Sequence, residues 1–259
     1  MTTEYKSILY GVDNRVATIV LNVPGKLNAL DVTLAEELTA AMDRAARDDA
    51  VRVVVVTGTG RAFCAGGDVA YFTSLDLEGS IAFIRKAQTL ISAFTETPKP
   101  VIAAVNGFAV GAGFSLALLS DIVVSSDKAV FGLAFVNIAL IPDLAALYFL
   151  PRAVGLQKAK ELAFTGKNID AAEAYRLGIV NTVVEHDKLE EEVRKMSAFL
   201  AGQPREAVKA AKTLLNMSMD MGLDELVEME AMAQGIRMVS DDSREGVDAF
   251  LNKRKPNFK

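Results

Sequence analysis

The stretch KPVIAAVNGFAVGAGFSLA, residues 99–117, holds the pattern that decides the fold. Residues 101–105 form a continuous apolar run, rich in β-branched side chains and too short for a helix, which predicts a buried strand. After an Asn-Gly pair, the small residues 111–113 open a second apolar run, residues 114–119, which predicts a buried helix. The first N–H groups of that helix are uncovered and favour an anionic oxygen. Small residues also allow close packing of a helix on a strand, and this stretch alone leaves both interpretations open.

A second stretch has the same organisation. Residues 51–57 predict another buried strand, which is followed by Gly58-Thr59-Gly60 and then by AFCAGGD, residues 62–68. Two strand ends, each followed by a glycine-rich turn, can present one N–H donor each to a single carbonyl oxygen. This arrangement is an oxyanion hole, in which one donor is typically worth about 3–4 kcal/mol of the reaction barrier. The pair of stretches therefore favours the functional interpretation.

Residues 62–68 and 99–113, followed by Ser120-Asp121, resemble the crotonase family, the enoyl-CoA hydratase/isomerase superfamily. The resemblance extends from Val16 to residues 253–255. It implies an α/β fold, a spiral of ββα repeats followed by an all-helical C-terminal region. We expect residues 1–195 to form the core that binds acyl-CoA and residues 196–259 to form a helical trimerisation region. The strand–helix alternation agrees with such repeats, although the sequence shows no strict period.

The resemblance also implies which residues bind the substrate, an acyl thioester of coenzyme A. Gly67 and Ala112 are the expected backbone donors to the thioester oxygen, and they stabilise an enolate as it forms. Coenzyme A is thus part of the substrate, and neither a tightly bound cofactor nor a metal is expected. The remaining expected binding residues line the adenine and pantetheine end, contact a phosphate or complete the pocket: Lys26, Ala65, Gly66, Asp68, Val69, Gly111, Ser115 and Phe135, with Lys253 or Lys255 as further phosphate ligands.

The catalytic positions depart from the hydratase pattern of this family. Hydratases place one glutamate two residues after the glycine triplet and a second in a Phe-Gly-x-Pro-Glu segment. In this chain the two positions are Ser115 and Phe135. Addition of water to a conjugated double bond needs one group that activates water and one that protonates the α-carbon. A hydroxyl and a phenyl ring do not supply these functions in the usual way.

Asp143 supplies a carboxylate at another place, where several isomerases and the aromatic dehalogenases of the family keep a functional aspartate. It lies between apolar residues 138–141 and 144–147, so burial should raise its pKa and suit it to a base that returns its proton. An alternative is that Asp143 caps a helix starting at Leu144, a role that is compatible with catalysis. Further expected pocket residues are two hydrogen-bonding groups, Ser115 and Asn137, and an apolar set, Leu133, Phe135, Leu140, Leu144 and Tyr148.

These observations favour an enoyl-CoA isomerase that moves a double bond through a dienolate, with Asp143 as the proton shuttle. The alternatives are a hydratase with atypical residues, a dehalogenase-like nucleophile, and a non-catalytic acyl-CoA-binding subunit. The dehalogenase alternative is weakened because the chain has no Trp and its one His, His186, is far in sequence from both motifs. A dinucleotide-binding enzyme is set aside because Phe63 stands where the third fingerprint glycine belongs.

Composition excludes several other classes. The chain has 51% hydrophobic residues, a net charge of −5 and no basic block, which disfavours nucleic acid as a partner. Its apolar runs are too short to span a membrane, and one cysteine, Cys64, fits a reducing compartment as a small buried side chain. The N-terminus lacks signal and transit patterns, so we expect a cytoplasmic protein. The methionine-rich helices after residue 215 offer more apolar surface than they can bury, which favours a homotrimer or a dimer of trimers over an ordinary core.

Overall fold

The computed structural model describes residues 5–258, which contain ten strands and twelve α-helices. The strands are β1 (Ile8–Asp13), β2 (Val16–Leu21), β3 (Val53–Gly58), β4 (Ala62–Cys64), β5 (Val101–Val105), β6 (Phe108–Val110), β7 (Ile122–Ser126), β8 (Val130–Gly132), β9 (Asn168–Asp170) and β10 (Thr182–Val184). The helices are α1 (Val32–Arg47), α2 (Val69–Phe72), α3 (Leu77–Ala87), α4 (Thr89–Thr95), α5 (Ala112–Leu119), α6 (Ala146–Val154), α7 (Leu156–Thr165), α8 (Ala171–Arg176), α9 (Leu189–Ala201), α10 (Arg205–Met217), α11 (Leu223–Met238) and α12 (Asp241–Leu251).

The strands form two sheets, which confirms the predicted spiral. One sheet has six strands in the order β1-β2-β3-β5-β7-β10, and the other has four in the order β4-β6-β8-β9. All pairings are parallel except those of β1 with β2 and of β8 with β9. Each successive strand pair, β3–β4, β5–β6 and β7–β8, contributes one strand to each sheet. This repeat places the ends of β4 and β6 side by side.

The larger core joins both sheets to α1, α4, α5 and the helices α6 to α8. Its buried side chains include Phe63, Phe94, Phe114 and Phe131, and the rings of Phe114 and Phe131 meet edge to face with centroids 5.6 Å apart. A second cluster packs α9 on the opposite face of the six-stranded sheet. Because both faces of these central strands are covered, β5 is apolar throughout, and β3 and β7 each begin with an apolar run.

Lys212 anchors α10 to the strand ends of the six-stranded sheet. Its Nζ donates to the carbonyl oxygens of Phe94 (2.8 Å) and Lys99 (3.1 Å) and to Asp121 Oδ2 (2.7 Å), so all three ammonium protons have acceptors. Asp121 Oδ2 also accepts the N–H of Val101 at 2.7 Å. Burial lowers the pKa of Lys212, an effect that the charge of Asp121 opposes. The first of the C-terminal helices is therefore fixed to the core by a fully paired charge.

The boundary that the sequence predicts at residue 195 falls inside α9. Leu189 and Val193 before that point, and Ala201 after it, belong to the same cluster on the sheet. With α10 also anchored through Lys212, the helices that stand apart from the core are α11 and α12. Neither of them contains more than one buried residue, and α11 has none.

Two elements differ from the sequence-based expectation. β1 was not predicted, since the turn that joins it to β2 places both Asn14 and Arg15 at positive φ (49° and 67°) without the glycine that usually marks such a hairpin. The amphipathic pattern of residues 81–94 predicts a single helix, but the chain forms α3 and α4 with a break at Gln88. None of the helices within residues 5–258 combines the length and the apolar character needed to cross a bilayer.

Candidate active site

The two glycine-rich turns meet at one edge of the four-stranded sheet. β4 and β6 are parallel neighbours, so their C-terminal ends lie on the same side. Residues 65–68 continue from β4, and Gly111 connects β6 to α5. A Cβ added to Gly111 would lie 3.3 Å from the Cα of Gly66, so the two backbones are in contact. The predicted pair of donor loops therefore exists as one site.

The peptide that joins Gly66 and Gly67 has a fixed direction. The carbonyl oxygen of Gly66 accepts the N–H of Leu30 at 2.7 Å. In a planar trans peptide the C=O and the following N–H point in opposite directions. The N–H of Gly67 therefore points away from Leu30, and it donates to no acceptor within residues 5–258.

The planar trans geometry of the peptide also fixes the direction of the Ala112 N–H, at the start of α5. The carbonyl oxygen of Gly111 accepts the N–H groups of Phe114 (3.0 Å) and Ser115 (3.1 Å), so it points along the helix. The N–H of Ala112 points out of the helix end, where the N-terminal dipole adds positive potential. Gly66 and Gly111 both have positive φ, +117° and +54°, a conformation that glycine adopts without strain. The peptides that begin at Gly66 and Gly111 thus supply the two candidate donors.

Asp143 is a partly buried carboxylate near the end of β4, and among the described residues one of its two oxygens is unpaired. Its Oδ1 is buried and has no hydrogen-bond partner within residues 5–258. Burial raises the pKa of Asp143 to about 6, an effect that a hydrogen bond from its own backbone partly opposes. Cys64, the last residue of β4, has a thiol whose pKa is raised to about 11. Burial is the main cause, and the charge of Asp143 adds to it. Cys64 is accordingly a buried thiol, and Asp143 lies near the strand that leads to the Gly67 donor.

The helix-cap interpretation of Asp143 is wrong. The helix begins at Ala146 with Ala145 as its N-cap residue, and no side chain caps it. Leu144 and Ala145 have positive φ, 47° and 59°, which is strained for residues with a Cβ. Only the carbonyl oxygen of Asp143 bonds to the helix, accepting the N–H of Ala146 at 3.0 Å. The carboxylate is held in place by backbone geometry and remains available for chemistry.

Ser115 and Phe135, the two positions that carry acids in hydratases, face different surroundings. The hydroxyl of Ser115 donates to the carbonyl oxygen of Gly111 at 3.3 Å, and the residue is fully buried within α5. The ring of Phe135 is 9% exposed and packs against the donor loop, since a Cβ on Gly111 would lie 3.9 Å from its Cζ. Phe135 is therefore at the site as an apolar wall, and Ser115 lies behind it with its hydroxyl occupied.

The expected coenzyme A residues surround the Gly67 loop. Asp68 caps α2 by accepting the N–H of Ala70 at 3.2 Å and pairs with Lys26 Nζ at 2.6 Å. This pair lowers the pKa of Asp68 and raises that of Lys26. Lys26 is 58% exposed and Val69 50% exposed, whereas Ala65 is half-buried. The ring of Phe72, which the sequence did not single out, packs directly on Gly67.

Other predicted residues lie elsewhere. Asn137 is exposed and faces Gly166 at the end of α7, and Leu140 is 45% exposed. Tyr148 donates to Asp220, and Arg152 stacks on its ring at 3.4 Å. His186 bonds through Nδ1 to the hydroxyl of Ser126 at 3.0 Å, a structural contact between β7 and the turn after β10. Leu133 and Leu144 are buried, while Lys253 and Lys255 are exposed.

One residue that the site needs was missed. Asn28 is fully buried although it is polar, and its amide bonds to the backbone on both sides of the β3–β4 turn. The sequence signal was an Asn between apolar residues directly before Ala29 and Leu30. This pattern predicts a structural role for Asn28, because a buried amide must find several hydrogen-bond partners.

Comparison with known proteins identifies the family of this chain. Residues 11–259 match the family model "Enoyl-CoA hydratase/isomerase". A Rhodobacter capsulatus protein named "Probable enoyl-CoA hydratase" is 39% identical over 254 residues, with 98% of each chain covered. The trans-2-decenoyl-[acyl-carrier-protein] isomerase of Streptococcus mutans is 35% identical over 259 residues, again with 98% of each covered.

A solved structure shows the same architecture. The enoyl-CoA hydratase of Bacillus anthracis superposes with a TM-score of 0.94 at 33% identity, covering 98% of this chain and 99% of that one. The names of the relatives include both hydratases and isomerases. With a family model that matches residues 11–259 and relatives more than 30% identical over nearly its whole length, the chain belongs to the enoyl-CoA hydratase/isomerase family.

Proposed function

We propose that this protein moves a carbon–carbon double bond in an acyl-CoA thioester, from the 3-enoyl to the 2-enoyl position. The observation that carries the proposal is the partly buried carboxylate of Asp143, which has one unpaired oxygen in the described part of the chain and lies near Cys64, the residue that leads into the Gly67 loop. A base that takes a proton from one carbon and returns it to another needs a pKa near the working pH. The isomerase name of the Streptococcus mutans relative gives independent support.

The donors act on the thioester carbonyl. Hydrogen bonds from the N–H groups of Gly67 and Ala112 to the carbonyl oxygen polarise it and make the protons on C2 more acidic. Asp143, as the carboxylate, removes one C2 proton, and the electron pair of that C–H bond becomes part of a dienolate. The same donors stabilise the negative oxygen of that dienolate. Because they are backbone groups held in turns, they need little reorganisation as the charge develops.

Return of the proton completes the reaction. Asp143, now protonated, gives its proton to C4, the electrons shift back, and the double bond is left between C2 and C3. No atom is gained or lost, and the carboxylate is regenerated. Water addition is disfavoured because Phe135 and the internally bonded Ser115 supply no second acid. We expect Lys26, whose exposed side chain pairs with Asp68 at 2.6 Å, to contact a phosphate of coenzyme A when the substrate binds.

The first test follows proton exchange and product identity together. Wild type and Asp143→Asn are incubated with a 3-enoyl-CoA in deuterated water, and deuterium on C2 and C4 is measured along with the position of the double bond. We expect exchange and movement in wild type, loss of both in the variant, and unchanged binding of free coenzyme A. Hydration of a 2-enoyl-CoA by the wild type at a comparable rate would favour the hydratase alternative. Tight binding without exchange in either protein would favour a binding subunit.

We further propose that α11 and α12 pack on other copies of the chain in a homotrimer or a dimer of trimers. Their large apolar side chains are at least half exposed: Leu223, Val227, Met232, Ile236, Met238, Val247, Phe250 and Leu251. Contiguous apolar surface of this kind marks an interface more often than open surface. Sedimentation equilibrium checks the proposal, since a monomer at micromolar concentration would contradict it.

A further inference from the structure

The side chain of Asn28 joins three separate segments. Its Nδ2 donates to the carbonyl oxygens of Thr59 (3.1 Å), Ala62 (2.8 Å) and Phe63 (3.2 Å), and its Oδ1 accepts the N–H of Val23 at 2.9 Å. Gly58 allows this approach, because a Cβ there would lie 2.7 Å from Nδ2. The amide is therefore the fixed point around which the β3–β4 turn closes.

The backbone next to Asn28 holds the donor loop directly. We use the name strap for residues 27–30. The carbonyl oxygen of Leu27 accepts the N–H of Ala65 at 3.0 Å, and Leu30 both donates to Gly66 (2.7 Å) and accepts from Asp68 (3.0 Å). These bonds bracket Gly67 on both sides. The direction of the Gly67 N–H thus depends on where the strap lies.

Two residues of the strap have a backbone conformation that is unfavourable for most residues with a Cβ. Leu27 and Asn28 both have positive φ, 53° and 56°. Asparagine tolerates this region better than other residues with a Cβ. The hydrogen bonds of the Asn28 side chain compensate for the strain at Leu27, which has no such side-chain bond. The strap therefore keeps its shape because Asn28 is both permissive in φ and fully bonded.

We propose that Asn28 is a positioning residue for the Gly67 half of the oxyanion hole. It acts through the strap and does not touch the substrate. This inference rests on the proposed function, since it assumes that the thioester oxygen accepts the Gly67 N–H. Loss of the Asn28 side chain should weaken polarisation of the thioester carbonyl and leave the nucleotide end of coenzyme A bound.

The test measures that polarisation. Hexanoyl-CoA labelled with carbon-13 at the thioester carbonyl is bound to wild type, Asn28→Asp and Asn28→Ser, and its C=O stretch is recorded by infrared difference spectroscopy. Asn28→Asp keeps the shape but removes both N–H donors, and Asn28→Ser is a neutral variant that buries no charge if the aspartate variant fails to fold. Asn106→Ser is the matched control, because Asn106 bonds to Gly60 (3.0 Å) and Ala62 (3.4 Å) in the same turn but not to the strap.

In wild type we expect the stretch to move to lower frequency than in water. In Asn28→Ser roughly half of that movement should be lost, because one of two donors is misaligned, and kcat for a 3-enoyl-CoA should fall about 10- to 100-fold. Binding of free coenzyme A, which has no thioester carbonyl, should stay within about twofold. Asn106→Ser should keep the wild-type frequency.

Two results overturn the proposal, and they differ. A wild-type frequency in a folded Asn28 variant, whatever its kcat, would show that Asn28 does not position the donor and leaves the proposed function intact. No movement of the stretch in wild type would remove the oxyanion hole itself, and the role of Asn28 would fall with it.

Discussion

Lys212 and Asp143 are both charged side chains largely withdrawn from water, yet their surroundings are opposite. Lys212 has three acceptors for its three protons, one of them the carboxylate of Asp121. Within residues 5–258, Asp143 has a buried Oδ1 without a partner, and it is followed by two residues with left-handed backbone conformation, Leu144 and Ala145. Fully compensated buried charge fixes one element on another, whereas uncompensated buried charge costs stability and persists where chemistry uses it. This difference is consistent with a structural role for Lys212 and with the catalytic role that we propose for Asp143.

The largest expected effect separates the two regions by activity. Asp143→Asn should lower kcat for double-bond movement by about 10²- to 10⁴-fold, the range typical for loss of a general base. Asp121→Asn keeps an oxygen that can accept the Val101 and Lys212 protons, so kcat should stay within about twofold while the protein is folded. Steady-state kinetics with a 3-enoyl-CoA measures both. An equal loss of kcat in the two variants would contradict the different roles given to Asp143 and Asp121.

The next effect separates them by stability. Lys212→Met leaves three carbonyl and carboxylate oxygens short of a donor and should lower the free energy of unfolding by about 2–4 kcal/mol. Lys209→Met is the control on the same helix, because Lys209 is 49% exposed and its pair with Glu206 is 3.8 Å long. That control should change stability by about 0–0.5 kcal/mol. Urea denaturation measures both variants, and a neutral Lys212→Met would show that the anchor is dispensable.

Replacement of Asp143 should have the opposite effect on stability from replacement of Lys212. Its folded pKa of about 6 lies above the ordinary 3.8, so the folded state binds the proton more tightly and wild type loses stability as the pH rises through this interval. Asp143→Asn removes that loss and should be more stable than wild type by about 1–3 kcal/mol near pH 8, with little difference near pH 4. Thermal unfolding at the two pH values provides the measurement. A destabilised variant near pH 8 would mean that the carboxylate has a partner.

The smallest expected effect is in the pH profile of the reaction. Because Asp143 acts as the carboxylate, kcat/KM should be constant above a pKa of about 6 and fall about tenfold for each pH unit below it. Circular dichroism at each pH controls for unfolding. A profile that is flat down to about pH 4.5 would assign proton removal to a group with an ordinary carboxylate pKa.

Much of this could be predicted because local patterns and tertiary structure agree. The buried strands β3, β5 and β7, the helix start at Ala112 and the cap of α1 by Asp31, which accepts the N–H of Leu34 at 2.9 Å, follow from apolar runs, small residues and a capping side chain. Gly178 follows the C-cap residue of α8 and has φ +79°, which is where a glycine commonly ends a helix.

The parts that could not be predicted depend on contacts between distant segments. Asn28 gains its role only when β3 and β4 fold around it, since its acceptors are 31 to 35 residues away. The helix-cap interpretation of Asp143 failed because the strained backbone at Leu144 and Ala145 delays the helix to Ala146, which no local propensity favours. Ser115 was expected in the pocket, but an i−4 hydrogen bond within α5 holds its hydroxyl.

The most direct test of the central role of Asp143 follows one hydrogen from donor to acceptor carbon. A 3-enoyl-CoA carrying deuterium on C2 is converted in ordinary water, and the 2-enoyl-CoA product is analysed for deuterium on C4. A single, partly buried carboxylate that takes and returns the proton predicts that a measurable part of the label appears on C4. Product whose C4 hydrogen comes entirely from water, while the label on C2 is lost, would contradict direct return of the removed hydrogen by Asp143.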